Sequence, residues 1–147
     1  MDNSKLVRIP LNDMEAVYRI SEEGEVSFTL VPEDKQPLFL EKGRVDPLVQ
    51  ISVTGDATSI GFEAGETRHN STLTMSMKYA SQDIAENGTE KIITTVVKSE
   101  AGLRAEHIVV SSVSDRAVRV FTKVYNDTDE PVTTEAISSV NLSGITP

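Results

Sequence analysis

Few residues in this chain are of types that do chemistry, so their spacing is the first guide. His69 lies in the run Glu66-Thr67-Arg68-His69-Asn70. A cation, an imidazole and an amide side by side can hydrogen-bond the hydroxyls of a sugar or the polar surface of a neighbouring domain. The plainer alternative is a solvated loop. Arg68 and His69 are the candidate ligand-binding residues, on loop position and hydrogen-bonding capacity. The other histidine, His107, alternates with Ala105 and Val109, which is the setting of a satisfied, half-buried structural imidazole in a strand. Glu22/Glu23 and Asp129/Glu130 are adjacent carboxylates, but they fall in turns. General acid–base work needs carboxylates that face each other across a pocket with pKa values pushed apart, so solvated turn acids are the default. There is no Gly-x-Ser-x-Gly elbow, no His-Glu-x-x-His pair and no glycine-rich phosphate loop after a strand. No catalytic residue is assigned. Cys is absent, which removes thiolate metal sites, Cys nucleophiles and disulfides. Two His leave little material for a multi-His centre. No metal and no other cofactor is expected.

The charge balance narrows the partners. Lys and Arg number 14 and Asp and Glu 23, so the net charge is 14 − 23 = −9. Binding to nucleic acid or to an anionic membrane runs on surplus cations, and this chain has the reverse. The 147 residues make one domain, which buries roughly 68–70% of its unfolded surface, enough for a core without staples. Residues 1–10 lack the apolar stretch of a secretory signal, and no apolar run approaches the ~18 residues of a membrane span. A cytoplasmic location is expected. Asn-x-Ser/Thr sequons at Asn70, Asn87, Asn126 and Asn141 are then chance matches. Trp is absent and aromatics are 5%. Sugar-binding modules stack aromatic rings on sugar faces, so this weighs against an independent lectin-like role.

The elements that would position these residues are strands. Val26, Phe28 and Leu30 alternate with polar residues, as do Val49, Ile51 and Val53, and Leu73, Met75, Met77 and Tyr79. A period of two puts apolar side chains on one face and polar ones on the other, the mark of a half-solvated antiparallel sheet. Residues 91–98, 103–113, 117–126 and 131–142 are longer runs, separated by Glu100-Ala101-Gly102, by Ser114-Asp115-Arg116 and by an Asn-Asp-Thr-Asp-Glu-Pro linker. They read as a meander of four consecutive antiparallel strands. In 117–126, Val118, Val120, Thr122 and Val124 form one face. Arg119, Phe121, Lys123 and Tyr125 form part of the other, which is suited to lie against a second layer or a ligand. Residues 32–43 and 57–71 read as long loops, which in a compact domain are usually functional or mobile. Nine or ten short strands and no helix predict an all-β fold, an antiparallel β-sandwich of the supersandwich type spanning 1–147.

The second half of the chain also resembles the N-terminal domain of melibiase-type α-galactosidases, glycoside hydrolase family thirty-six. The resemblance is carried, in order, by Ser76-Met77-Lys78-Tyr79, by 91–98 leading into Ala101-Gly102-Leu103, by 117–126, and by 135–147. It implies a non-catalytic β-sandwich that packs against a catalytic (β/α)₈ barrel of the same polypeptide. The parent enzyme would hydrolyse terminal α-galactosides with retention, using two aspartates of that barrel. A barrel needs ~250 residues, so both aspartates would lie outside this sequence. Residues 140–147 stop directly after a strand-like run, and the natural protein is expected to continue. The implied partners are the barrel, a homo-oligomer and a galactoside. The alternatives are a free-standing carbohydrate-binding module and a protein-interaction β-sandwich. The barrel-bound reading predicts one apolar face on the isolated domain.

Overall fold

The structure is a computed structural model that describes residues 3–35, 46–57 and 70–142. Its architecture is all-β, antiparallel and sandwich-like, with nine strands among the described residues. The first sheet is a meander of β1 (Lys5–Pro10), β2 (Met14–Ile20) and β3 (Val26–Pro32). The second joins β5 (Lys78–Glu86), β6 (Glu90–Lys98), β7 (Leu103–Ser112) and β8 (Val118–Asn126) in sequence order. A two-stranded ribbon pairs β4 (Ile51–Val53) with β9 (Thr134–Ile137). No helix among the described residues is long and apolar enough to cross a membrane.

In the long strands β6, β7 and β8 the alternating faces point where the period-two reading puts them, but β3 is not half-solvated: Ser27 and Thr29, on the side opposite Val26 and Phe28, are buried too. Tyr18, Phe28 and Ala16 of the first sheet meet Ile93, Val97, Ala105 and Val109 of the second in one buried core. Leu48, Val49, Ile51, Leu73 and Met77 belong to the same core, so the ribbon and its neighbours close one side of it. A side chain of this size contributes roughly 1.5–3 kcal/mol when fully buried.

Tight turns join the strands. At the β6–β7 hairpin, Ser99 N donates to Leu103 O at 2.9 Å and Gly102 N to Ser99 O at 3.2 Å. Gly102 sits at φ 85°, a left-handed conformation that costs an L side chain free energy. A Cβ there would also come 2.4 Å from Thr128 Cγ2. This turn therefore requires glycine on two counts.

Two expectations are corrected. The alternation Leu73, Met75, Met77, Tyr79 does not form one strand. Thr72–Ser76 is a short helix, α1, and β5 begins only at Lys78. Local capping outweighs the period-two pattern. The Ser71 hydroxyl accepts from Thr74 N at 3.1 Å, and the Asp56 carboxylate accepts from Leu73 N at 2.8 Å, so orphan helix donors are satisfied. The predicted fourth meander strand, 131–142, does not join β8. Only Thr134–Ile137 is strand, and it crosses to β4, with Ile51 opposite Ile137. Its neighbours continue the pairing, as Thr54 N donates to Thr133 O and Ser138 N to Gln50 O, both at 2.9 Å. The second sheet gains β5 in its place, a strand the sequence reading largely passed over because Ala80, Ser81, Gln82 and Asp83 interrupt its apolar alternation.

Candidate functional site

Arg68 and His69 lie outside the described residues. The next residue in the chain, Asn70, is described and sits in an unusual setting. Its φ is 53°, the left-handed region that Asn tolerates better than most residues, and it is buried. Gln50 holds it from both ends: Gln50 Nε2 donates to Asn70 Oδ1 at 3.1 Å, and Asn70 N donates to Gln50 Oε1 at 2.9 Å. A reciprocal amide pair of this kind fixes both side chains.

Asn70 borders a pocket of about 140 Å³. Its floor is apolar, with Val26, Leu48, Met77 and Val97, and its rim is polar, with Arg19, Glu25 and Asn70. Three elements position it: the β2–β3 turn, the 47–49 segment that enters β4, and α1. Leu48 N donates to Val26 O at 2.7 Å, which ties the start of β3 to the 47–49 segment, and Tyr79 N donates to Gly24 O at 2.7 Å, which ties the turn to the start of β5 just beyond α1. α1 is tied to β4 by its hydroxyls. Ser71 Oγ and Thr74 Oγ1 donate to Ile51 O at 2.6 and 2.9 Å, and Ile51 N donates to Thr74 Oγ1 at 2.9 Å. An apolar floor under polar edges can hold one small amphipathic group, about a single ring in size. Sequence reasoning named Asn70 within its polar cluster but missed Gln50, Ser71 and Thr74. The available signal was Ser71, an N-cap residue type, directly before the Thr-Leu-Thr-Met run.

A second polar feature crosses the inner face of the four-stranded sheet. Gln82 pairs across from Thr95, Thr95 from His107, and His107 from Thr122. The four form one row perpendicular to the strands. Gln82 Nε2 donates to Thr95 Oγ1 at 2.8 Å. His107 is fully buried, not half-buried, and neither ring nitrogen finds a hydrogen-bond partner among the described residues. Its ring lies 4.9 Å from that of Phe28 and edge-on to Tyr18 at 6.5 Å. Burial penalises the cation and lowers its pKa to about 4. The Tyr18 hydroxyl, also without a well-formed hydrogen bond, has its pKa pushed up by burial, which the Thr95 hydroxyl beside it offsets only in part. A neutral imidazole walled in by aromatic rings is a packing residue. It has neither the access nor the proton-transfer partner that general base catalysis requires.

The face of this sheet turned away from β1–β3 is apolar in its middle and charged at its ends. Ile92, Val96, Ile108, Val110 and Phe121 form the middle, and Phe121 keeps 37% of its surface exposed. At one end Arg104 joins Asp127 at 3.0 Å and Glu106 at 2.8 Å, and stacks 4.0 Å over the Tyr125 ring. The Asp127 hydrogen bond, helped by the charges of Asp127, Glu106 and Tyr125 and opposed by desolvation, raises the Arg104 pKa. Tyr125 Oη donates to Glu106 at 3.2 Å. Glu22/Glu23 and Asp129/Glu130 lie in turns, and all four are exposed to solvent. No group of three or more His, Cys, Asp or Glu side chains among the described residues could hold a metal ion. Comparison with protein-family models, with curated proteins and with solved structures finds no match to this chain.

Proposed function

We propose that this chain is the non-catalytic β-sandwich domain of an α-galactosidase-like glycoside hydrolase, serving to support the catalytic barrel. One observation carries the docking half of this reading: on the outer face of the β5–β8 sheet, exposed Phe121 and half-buried Ile92 and Val96 lie around buried Ile108 and Val110, inside a charged rim. That layout matches an inter-domain contact, apolar in the middle and polar at the edge. The resemblance described above supplies the partner, a barrel of the same polypeptide. The test compares hydrolysis of an aryl α-galactoside by the 147-residue chain and by the full product of its reading frame. Turnover by the longer product alone is the expected result. A longer product without a barrel, or one inert on α-galactosides, ends this reading.

The pocket beside Asn70 favours a second reading, a binding module for a small polyol. Titration with galactose, followed through the methyl signals of Met75 and Met77, decides it. Saturable shifts at both methyls support the module, and unmoved signals at high sugar concentration exclude it.

A further inference from the structure

β8 is an edge strand: among the described residues only β7 pairs with it. Which of its backbone groups are free follows from the register. Asn126 lies opposite Leu103, and the next residues along, Asp127 N and Gly102 O, are hydrogen-bonded at 2.9 Å. Asn126–Leu103 is therefore a non-hydrogen-bonded pair, and the two kinds of pair alternate along the ladder. Val118, Val120, Thr122, Val124 and Asn126 turn their N–H and C=O groups away from β7, toward the open edge.

We propose that two copies of this chain pair antiparallel through β8 about a two-fold axis at Thr122, joining two four-stranded sheets into one of eight. The register fits the free groups: 122 faces 122, 120 faces 124 and 118 faces 126. Every one of these is an outward-turned residue, so each pair exchanges two hydrogen bonds. The side chains fit as well. On the inner face Val120 meets the partner's Val124. On the outer face Arg119 meets the partner's Tyr125, and Phe121 meets the partner's Lys123. Both outer pairs set a cation against an aromatic ring, a favourable cross-strand combination. The sequence Val-Arg-Val-Phe-Thr-Lys-Val-Tyr-Asn is thus self-complementary about its own centre, as an isologous contact requires.

Charge and edge geometry choose this strand over β5. The chain carries −9, yet the nine residues of β8 include two cations and no acid. The two Lys123 side chains become diagonal neighbours, and each is balanced by Glu106 directly beside it on β7. Arg119 is bonded to Glu90. β8 has no proline and an unbroken register with β7. β5, at the other edge, carries a bulge between Tyr79 and Ser81, and Tyr79 N is already spent on Gly24 O. Proline, a bulge and an inward-turned charge are among the guards of an edge, and β8 has none of these; its two cations, Arg119 and Lys123, stand on the outer face. The contact is small, so it is expected to be a micromolar-range, concentration-dependent dimer. It does not rest on the glycosidase reading. A chain unconnected with sugar would pair in the same way, and loss of the pairing leaves that reading untouched.

Cysteine placement tests it, because the chain has no cysteine of its own. Hydrogen-bonded antiparallel partners have Cα atoms about 5.5 Å apart, within disulfide reach. Thr122→Cys is expected to form a covalent dimer under mild oxidation. Val120→Cys faces the partner's Val124, about 14 Å from its own counterpart, and stays monomeric. Sedimentation of the unaltered chain is expected to show a concentration-dependent dimer. Phe121→Lys sets lysine opposite the partner's Lys123 and weakens it about tenfold, and the swap Phe121→Lys/Lys123→Phe restores it. A chain that stays monomeric up to millimolar concentration overturns the proposal. So does a dimer in which both cysteines cross-link equally, or one indifferent to Phe121→Lys.

Discussion

In the β1–β3 sheet the central strand is covered on both faces: Ala16 and Tyr18 point into the main core, while Val17 packs with Val31 and Leu6 on the reverse side. The β5–β8 sheet is longer in its strands; its inner face is crossed by the polar row Gln82, Thr95, His107 and Thr122, and on its outer face Ile108 and Val110 are buried while Phe121 stays exposed. The first sheet is held by burial on two sides. The second gives up apolar burial at one level of its inner face and keeps an outer face and an edge for contacts. A small all-β domain can thus separate the sheet that stabilises it from the sheet that meets other molecules.

The largest expected effect breaks the shared core. Phe28 is fully buried, with its ring 5.0 Å from Tyr18 and 4.9 Å from His107. Phe28→Ala is expected to cost about 3–5 kcal/mol in urea unfolding. Phe121→Ala, on the outer face, should cost under about 1 kcal/mol. Equal costs would erase the distinction between the two sheets.

Next comes acid. The unfolded His107 ring takes up its proton near 6.5, while the folded ring does so only at about 4. Between those values the unfolded chain binds a proton that the folded chain refuses, so stability present above pH 6.5 is lost as pH falls toward 4. Below 4 both states are protonated and this group costs nothing further. The loss is on the order of 3 kcal/mol, from the shift at 1.36 kcal/mol per unit. Urea unfolding at pH 7, 6, 5 and 4 measures it. His107→Leu, which removes two buried nitrogens without partners, should be at least as stable at pH 7 and flatter over that range.

Turn strain sharpens the comparison on a smaller scale. Gly102→Ala combines a φ of 85° with a 2.4 Å approach to Thr128 Cγ2, and should cost about 2–3 kcal/mol. Gly88→Ala shares the left-handed φ, 84°, but meets open space, and should cost about 1 kcal/mol. Their difference in melting midpoint reports the Thr128 contact alone. The smallest effect is at α1. Ser71→Ala removes the cap on Thr74 N and the bond to Ile51 O, for about 1 kcal/mol, readable as a lowered urea midpoint.

Much of this fold was legible from alternation. Val26, Phe28 and Leu30, and the two faces of 118–125, point as a period of two requires, and the Glu100-Ala101-Gly102 turn is where its glycine puts it. The candidate site was less legible. Asn70 stood out as a polar residue in a polar cluster, but Gln50, which holds it, lies twenty residues earlier in an apolar run. Thr74 looked like the outward side of a strand. It is buried instead, because its hydroxyl bonds both backbone groups of Ile51.

The amino-acid sequence by itself determined the β class, the faces of the long strands and the positions of their hairpins. Side-chain alternation and turn chemistry act over a few residues and need no distant partner. Only the tertiary structure decided that 134–137 leaves the meander for β4, that 72–76 coils into a helix and that His107 is sealed between Phe28 and Tyr18. Each of these depends on groups far apart in the chain: the carboxylate of Asp56, the backbone of Ile51, the rings of the opposite sheet. Which buried polar group finds a partner is settled where the layers meet.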